Sequence, residues 1–217
     1  MLEAKGIEKS YGALKVLKGV DLSVKKGEIV SIVGASGAGK STLLHILGTL
    51  DDPDEGKVSI HGIDVFGQSN KELAGFRNRH IGFVFQFHNL LPEFSALENV
   101  MIPGLLSKKS DQEVEARALK LLTDLGLSDR MHHKPSELSG GEQQRTAAAR
   151  ALMNEPDIIL ADEPSGNLDS KNAMDLHELF FKLRSEMGQT FIIVTHNQEF
   201  ANMADRKLEM RDGIIHG

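Results

Sequence analysis

A glycine-rich stretch, Gly34-Ala35-Ser36-Gly37-Ala38-Gly39-Lys40-Ser41-Thr42, is flanked by Ile29-Val30-Ser31-Ile32-Val33 and Thr42-Leu43-Leu44-His45-Ile46-Leu47. The first flank is the β-branched run of a buried parallel strand, and the second reads as a helix. A strand, a glycine turn and a helix in that order demand a layered α/β fold, because a parallel strand must be covered on both faces. Glycines at 34, 37 and 39 let the backbone curl so that successive N–H groups point at one anion, and the helix N-terminus adds the positive end of its dipole. Lys40 would reach the β- and γ-phosphates of a nucleotide, and Ser41 would place its hydroxyl on Mg²⁺.

A second constellation lies far along the chain. Ile158-Ile159-Leu160-Ala161-Asp162-Glu163 is a hydrophobic strand that ends in two acids. At such a strand tip Asp162 is placed to hold Mg²⁺, and Glu163 to accept a proton from an attacking water. Between the two constellations stands Leu138-Ser139-Gly140-Gly141-Glu142. Ser139 and Glu142 have the spacing of a capping box, so a helix should open there and run toward Pro156. Its two glycines would leave bare N–H groups at the helix start, which suits phosphate binding.

The remaining pattern predicts strands at Leu2 to Lys9, Val20–Val24, Lys57–Ile60, Ile63–Val65, Ile81–Phe85 and Phe191–Thr195, with a turn at His61-Gly62. Residues from about Ala96 to Met153 read as helical. One of those helices should open at Ser110-Asp111-Gln112-Glu113 and stop at Gly126, and a later one should run from about Ser170 to Met187.

Taken jointly, the phosphate loop and the Leu138–Glu142 segment resemble the ATPase subunits of ATP-binding-cassette (ABC) machines. The resemblance implies an α/β fold: an ABC-type P-loop NTPase core with an antiparallel β subdomain and an inserted helical subdomain. The single domain would span 1–217, with the nucleotide-binding core at about 1–87 and 155–217 and the helical subdomain at about 88–154. It also implies roles for residues that say nothing alone. Ser165-Gly166-Asn167-Leu168-Asp169 resembles the D-loop that communicates between two ATP sites. His196 resembles the switch histidine on the γ-phosphate. Gln86 resembles the Q-loop glutamine, which touches the metal and the attacking water and couples to a membrane partner. Tyr11 resembles the aromatic residue that stacks on adenine. Leu138–Glu142 is the signature motif, with Glu142 where many members have Gln. The cofactors implied are ATP and Mg²⁺. The first partner implied is a second copy of the chain, packed head to tail so that each ATP lies between one phosphate loop and the other copy's signature.

Net charge is -6 and no cysteine is present, which gives no reason to expect nucleic acid as a partner and rules out disulfides and thiolate metal sites. The N-terminal residues lack a signal-peptide core, and no apolar run reaches the ~20 residues of a membrane span. A membrane role would therefore come through integral permease subunits. Within the family, Asn89–Val100, His133–Glu137 and Leu208–Gly213 resemble the ATPases of lipoprotein-releasing systems. That likeness implies a peripheral protein on the cytoplasmic face of the inner membrane. Leu90, Leu91 and Phe94 would grip the permease. The ATPases of macrolide-type efflux pumps and of cell-division complexes share much of this pattern. The iron–sulfur assembly ATPase, a lone cassette with soluble partners, is the alternative from another class.

Overall fold

The computed structural model describes residues 1–216; Gly217, the last residue of the predicted domain, lies outside them. Strands β1 (Leu2–Tyr11) and β2 (Leu14–Val24) make an antiparallel hairpin, and β4 (Glu55–Ile60) pairs with the other edge of β1. β5 (Ile63–Asp64) folds back on β4, giving a four-stranded sheet in the order β2-β1-β4-β5. The predicted turn at His61-Gly62 connects them, with φ of 53° and 77°, the two left-handed residues that a tight hairpin turn requires.

The larger sheet has the order β10-β9-β3-β8-β7-β6. It comprises β3 (Ile29–Val33), β6 (Ile81–Phe85), β7 (Ile158–Asp162), β8 (Thr190–Val194), β9 (Arg206–Arg211) and β10 (Ile214–His216). All neighbours are parallel except β10, which returns antiparallel along β9. Alternation along these strands divides the core in two. Ile32, Leu160, Ile192 and Val194 face the antiparallel sheet and α1 (Lys40–Leu47), whose Leu43, Leu44, Ile46 and Leu47 are fully buried. Ile29, Ile159, Phe191 and Ile193 face the opposite way. They join one cluster with α3 (Ala96–Leu105), α4 (Asp111–Asp124), α5 (Gly140–Leu152) and α6 (Ser170–Met187). The helical region thus shares its buried surface with the sheet.

Helix α4 opens on the predicted capping box at Ser110 and stops before Gly126, and α6 has the predicted limits. Several boundaries differ. β1 and β2 extend to Tyr11 and from Leu14, and α1 begins at Lys40, two residues before the predicted Thr42. Helices α2 (Asn70–His80) and α7 (Gln198–Met203) were not expected. α2 buries only Phe76, so it carries almost no apolar periodicity, and its one signal is the capping box of Ser69 with Glu72.

Candidate active site

The carboxyl ends of β3, β6, β7 and β8 open on one cleft of about 630 Å³. This is the edge of an open α/β sheet where ligands bind. The chain leaves β3 at Gly34, whose φ is 155° and where a Cβ would collide with the Met210 carbonyl, so only glycine fits. Ser36, Gly37 and Gly39 line the cleft, while Ala35 and Ala38 back the loop against Met210 and Asp212. Lys40 opens α1 and donates from Nζ to the Gly34 and Ala35 carbonyls, both at 2.9 Å, which holds the ammonium across the mouth of the loop. Ser41 donates from Oγ to Asp162 Oδ1 at 3.0 Å. Burial pushes the Asp162 carboxyl above its ordinary value, against the pull of the Ser41 hydroxyl and of His45. Thr42 lines the same wall.

Glu163 follows Asp162 with φ of 45°, a left-handed conformation that is costly for a residue with a Cβ, on the order of 1–3 kcal/mol. The Glu163 N–H donates to the Val194 carbonyl at 2.9 Å, which ties the turn to β8. Its carboxylate Oε2 accepts the His196 N–H at 3.1 Å and lies 2.8 Å from His196 Nδ1. The carboxylate and the imidazole therefore meet over the phosphate loop. Gln86 leaves β6 into the cleft and is tied twice to Asn167: its Nε2 donates to Asn167 Oδ1, and Asn167 Nδ2 donates to the Gln86 backbone carbonyl, both at 3.1 Å. Tyr11, at the end of β1, closes the far wall beside Leu14 and Val16.

Leu138, Ser139, Gly140, Gly141 and Glu142 do not line this cleft. They open α5 through the predicted capping box, in which Glu142 Oε2 accepts the Ser139 N–H at 2.8 Å and Arg130 holds Oε1 at 3.2 Å. Gly140 is exposed, whereas a Cβ on Gly141 would collide with the Asn172 side chain. Residues 165–169 bridge the two regions. Asn167 pairs with Gln86, Leu168 reaches to 3.5 Å of where a Gly140 Cβ would stand, and Asp169 caps α6 by accepting the Asn172 N–H at 2.9 Å. Gly166 packs against the Gln86 amide, and Ser165 Oγ lies 3.1 Å from Nε2 of buried His177.

Arg150 on α5 is a residue that the sequence reading missed. It donates to the His88 and Asn89 carbonyls at 2.7 and 2.6 Å and so holds two consecutive left-handed residues after Gln86. An arginine in an alanine-rich helix gives no sequence signal for that contact. Arg150 and Asn89 also line a groove of about 500 Å³ with Leu50, Phe83, Phe85, Ile102 and Leu106. The expected gripping residues Leu90, Leu91 and Phe94 are not in its lining. Buried Asn99 binds the Leu91 and Phe94 carbonyls, both at 3.1 Å, and folds that segment over the start of α3, leaving Leu91 and Phe94 exposed.

The family described as ABC transporter matches residues 17–166, a span that includes the phosphate loop, Gln86, the signature, Asp162 and Glu163. The lipoprotein-releasing system ATP-binding protein LolD of Porphyromonas gingivalis is 62% identical over 215 residues, covering 99% of this chain and 98% of that protein. LolD of Bacteroides thetaiotaomicron is 60% identical, covering 99% of each. Among solved structures, the dimeric bacterial ABC transporter cassette MJ0796 superposes with a TM-score of 0.92 at 44% identity, covering 100% of this chain and 97% of that one. The same cassette as a dimer in a post-hydrolysis state bound to ADP and Pi gives 0.91 at 43%, with the same coverage.

Proposed function

The chain belongs to the ABC transporter family, and from that membership we propose that it is the ATP-hydrolysing subunit of a lipoprotein-releasing complex. It works as a homodimer that drives a membrane permease. The observation that carries the reading is the meeting of Glu163 and His196 over the phosphate loop in a cleft that the chain's own signature does not line. Such a chain holds two half-sites, and a second copy packed head to tail completes both.

In the completed site the loop N–H groups and Lys40 bind the β- and γ-phosphates, and the N–H groups at the start of the other copy's α5 bind the γ-phosphate from the opposite side. Tyr11 packs on the adenine. Glu163 takes the proton of the water that attacks the γ-phosphorus, and ADP departs as the bond to its β-phosphate oxygen breaks. His196, held at Glu163, bears on the γ-phosphate and reports its loss. Ser41, Asp162 and Gln86 would hold Mg²⁺. Their donors are all oxygens, the set a hard cation prefers, and the 3.0 Å approach of Ser41 Oγ to Asp162 Oδ1 suits two groups serving one ion. When bound, the ion neutralises charge on the phosphates.

The apolar groove receives cytoplasmic elements of the permease, with Gln86 and the 165–169 segment linking it to the cleft. No helix among the described residues is long and apolar enough to cross a membrane. The relatives named LolD support a peripheral place on the cytoplasmic face of the inner membrane. Lipoproteins are the cargo, on the strength of the relatives named LolD. The test is affinity capture of tagged Glu163→Gln protein, with ATP, from detergent-solubilised native membranes. Recovery of two membrane subunits with large periplasmic domains is expected. A single homodimeric permease would favour efflux, and soluble scaffold proteins alone would overturn transport.

A further inference from the structure

Tyr11 stands at the end of β1 and is half exposed, so packing alone does not fix its ring. Its hydroxyl instead donates to Asp51 Oδ2 at 2.5 Å. Asp51 lies just beyond α1, the helix that the phosphate loop opens, and Lys9 braces its other oxygen at 2.8 Å. The Lys9 side chain is only 12% exposed, and it also donates to the Asp52 carbonyl at 2.6 Å. Its ammonium sits 5.4 Å from the Tyr11 ring centroid, a distance at which a cation attracts an aromatic face. The chain from Lys9 through Asp51 to Tyr11 thus ties the antiparallel sheet to the far end of the phosphate-loop helix.

We propose that Asp51, braced by Lys9, is a positioning residue that fixes the Tyr11 ring through its phenol and so sets the base-dependent part of nucleotide affinity. This rests on the reading of Tyr11 as the adenine-stacking residue. A ring that rotates freely must be ordered when the base arrives, whereas one already held meets the base without that cost. Neither Lys9 nor Asp51 lines the cleft itself, so the relay should separate the base from the phosphates. The phenol carries a signature of the same contact, because hydrogen bonding to Asp51 raises it above its ordinary value.

The chain has one tyrosine and no tryptophan, so its intrinsic fluorescence and its phenol titration report Tyr11 alone. The experiment measures affinity for ATP and for inorganic tripolyphosphate, which has no base, in the full-length protein and in Tyr11→Phe, Asp51→Ala, the double variant and Tyr11→Ala. We expect Tyr11→Phe and Asp51→Ala each to weaken ATP about three- to ten-fold, the double variant to lose no more than either alone, and tripolyphosphate binding to stay constant. Asp51→Ala should also lower the phenol titration toward its ordinary value. Additive losses, unchanged ATP affinity in both single variants, or an equal loss for tripolyphosphate in Asp51→Ala would overturn the proposal. Tyr11→Phe keeps it testable should Asp51→Ala fail to fold. Unchanged ATP affinity in Tyr11→Ala, or fluorescence that ATP does not quench, would instead sink the stacking reading itself.

Discussion

Glu163 combines a left-handed backbone with a carboxylate aimed at His196, and neither could be read from the chain. The sequence showed two acids after a hydrophobic run, which names a site and leaves its aim open. What aims the carboxylate is the bond from the Glu163 N–H to Val194, a residue on a neighbouring strand thirty-one positions along the chain. Glu163→Gln keeps the size and the acceptor for the His196 N–H but removes the base. Steady-state hydrolysis should fall roughly 10²–10⁴-fold, with ATP affinity by equilibrium binding unchanged. Lys40→Ala should show the opposite pattern and weaken ATP binding directly, since Lys40 is the cation at the mouth of the loop. Asp51 and Arg150 were invisible for a related reason. Each acts on a partner more than thirty residues away, and nothing local marks it.

The secondary-structure elements were easier to read where local rules decide them. Capping boxes at Ser110 and Ser139 and the glycine stop at 126 are written in neighbouring residues, and the helices follow them. α2 escaped because its apolar face is a single phenylalanine. The packing of α6 against α7 lay beyond any local rule. There His177 stacks on Phe200 at 3.8 Å between ring centroids and meets Ser165, so an imidazole is enclosed between helices. Burial lowers its pKa from 6.5 to about 4. The folded protein therefore resists protonation that the unfolded chain accepts. Stability is complete above about pH 6.5, declines as the pH falls toward 4 and levels off below that, with a total loss on the order of 3 kcal/mol. Urea midpoints measured from about pH 7.5 down to about pH 4.5 should fall in the native protein. His177→Phe, which keeps the stack and carries no titratable group, should flatten that part of the dependence.

At the level of the assembled molecule, each chain of the proposed homodimer would offer its phosphate loop to one nucleotide and its signature helix to the other. Gly140 is exposed, and a Cβ there meets only ordinary contact, so Gly140→Asp should fold normally. Its carboxylate at the start of α5 would repel the other copy's γ-phosphate. Gly140→Asp and Lys40→Ala should each be inactive alone. Mixed after co-refolding, they should recover about a quarter of native hydrolysis, because half of randomly paired dimers then carry one intact composite site. No recovery would count against head-to-tail pairing. The groove belongs to this level too, since its lining comes from α2, β6, α3 and α5 and from the loops beside them, and no segment of sequence contains it.

The exclusion of the signature from its own chain's cleft also has a hereditary meaning. A cell that makes the native chain and an equal amount of a Lys40→Ala chain would keep only about half of its composite sites intact, because half of its dimers are mixed and a quarter lack both sites. About three-quarters of its dimers would contain at least one impaired subunit, and each would occupy a permease. The altered allele should then behave as dominant, whereas a deletion of the same gene copy would be recessive.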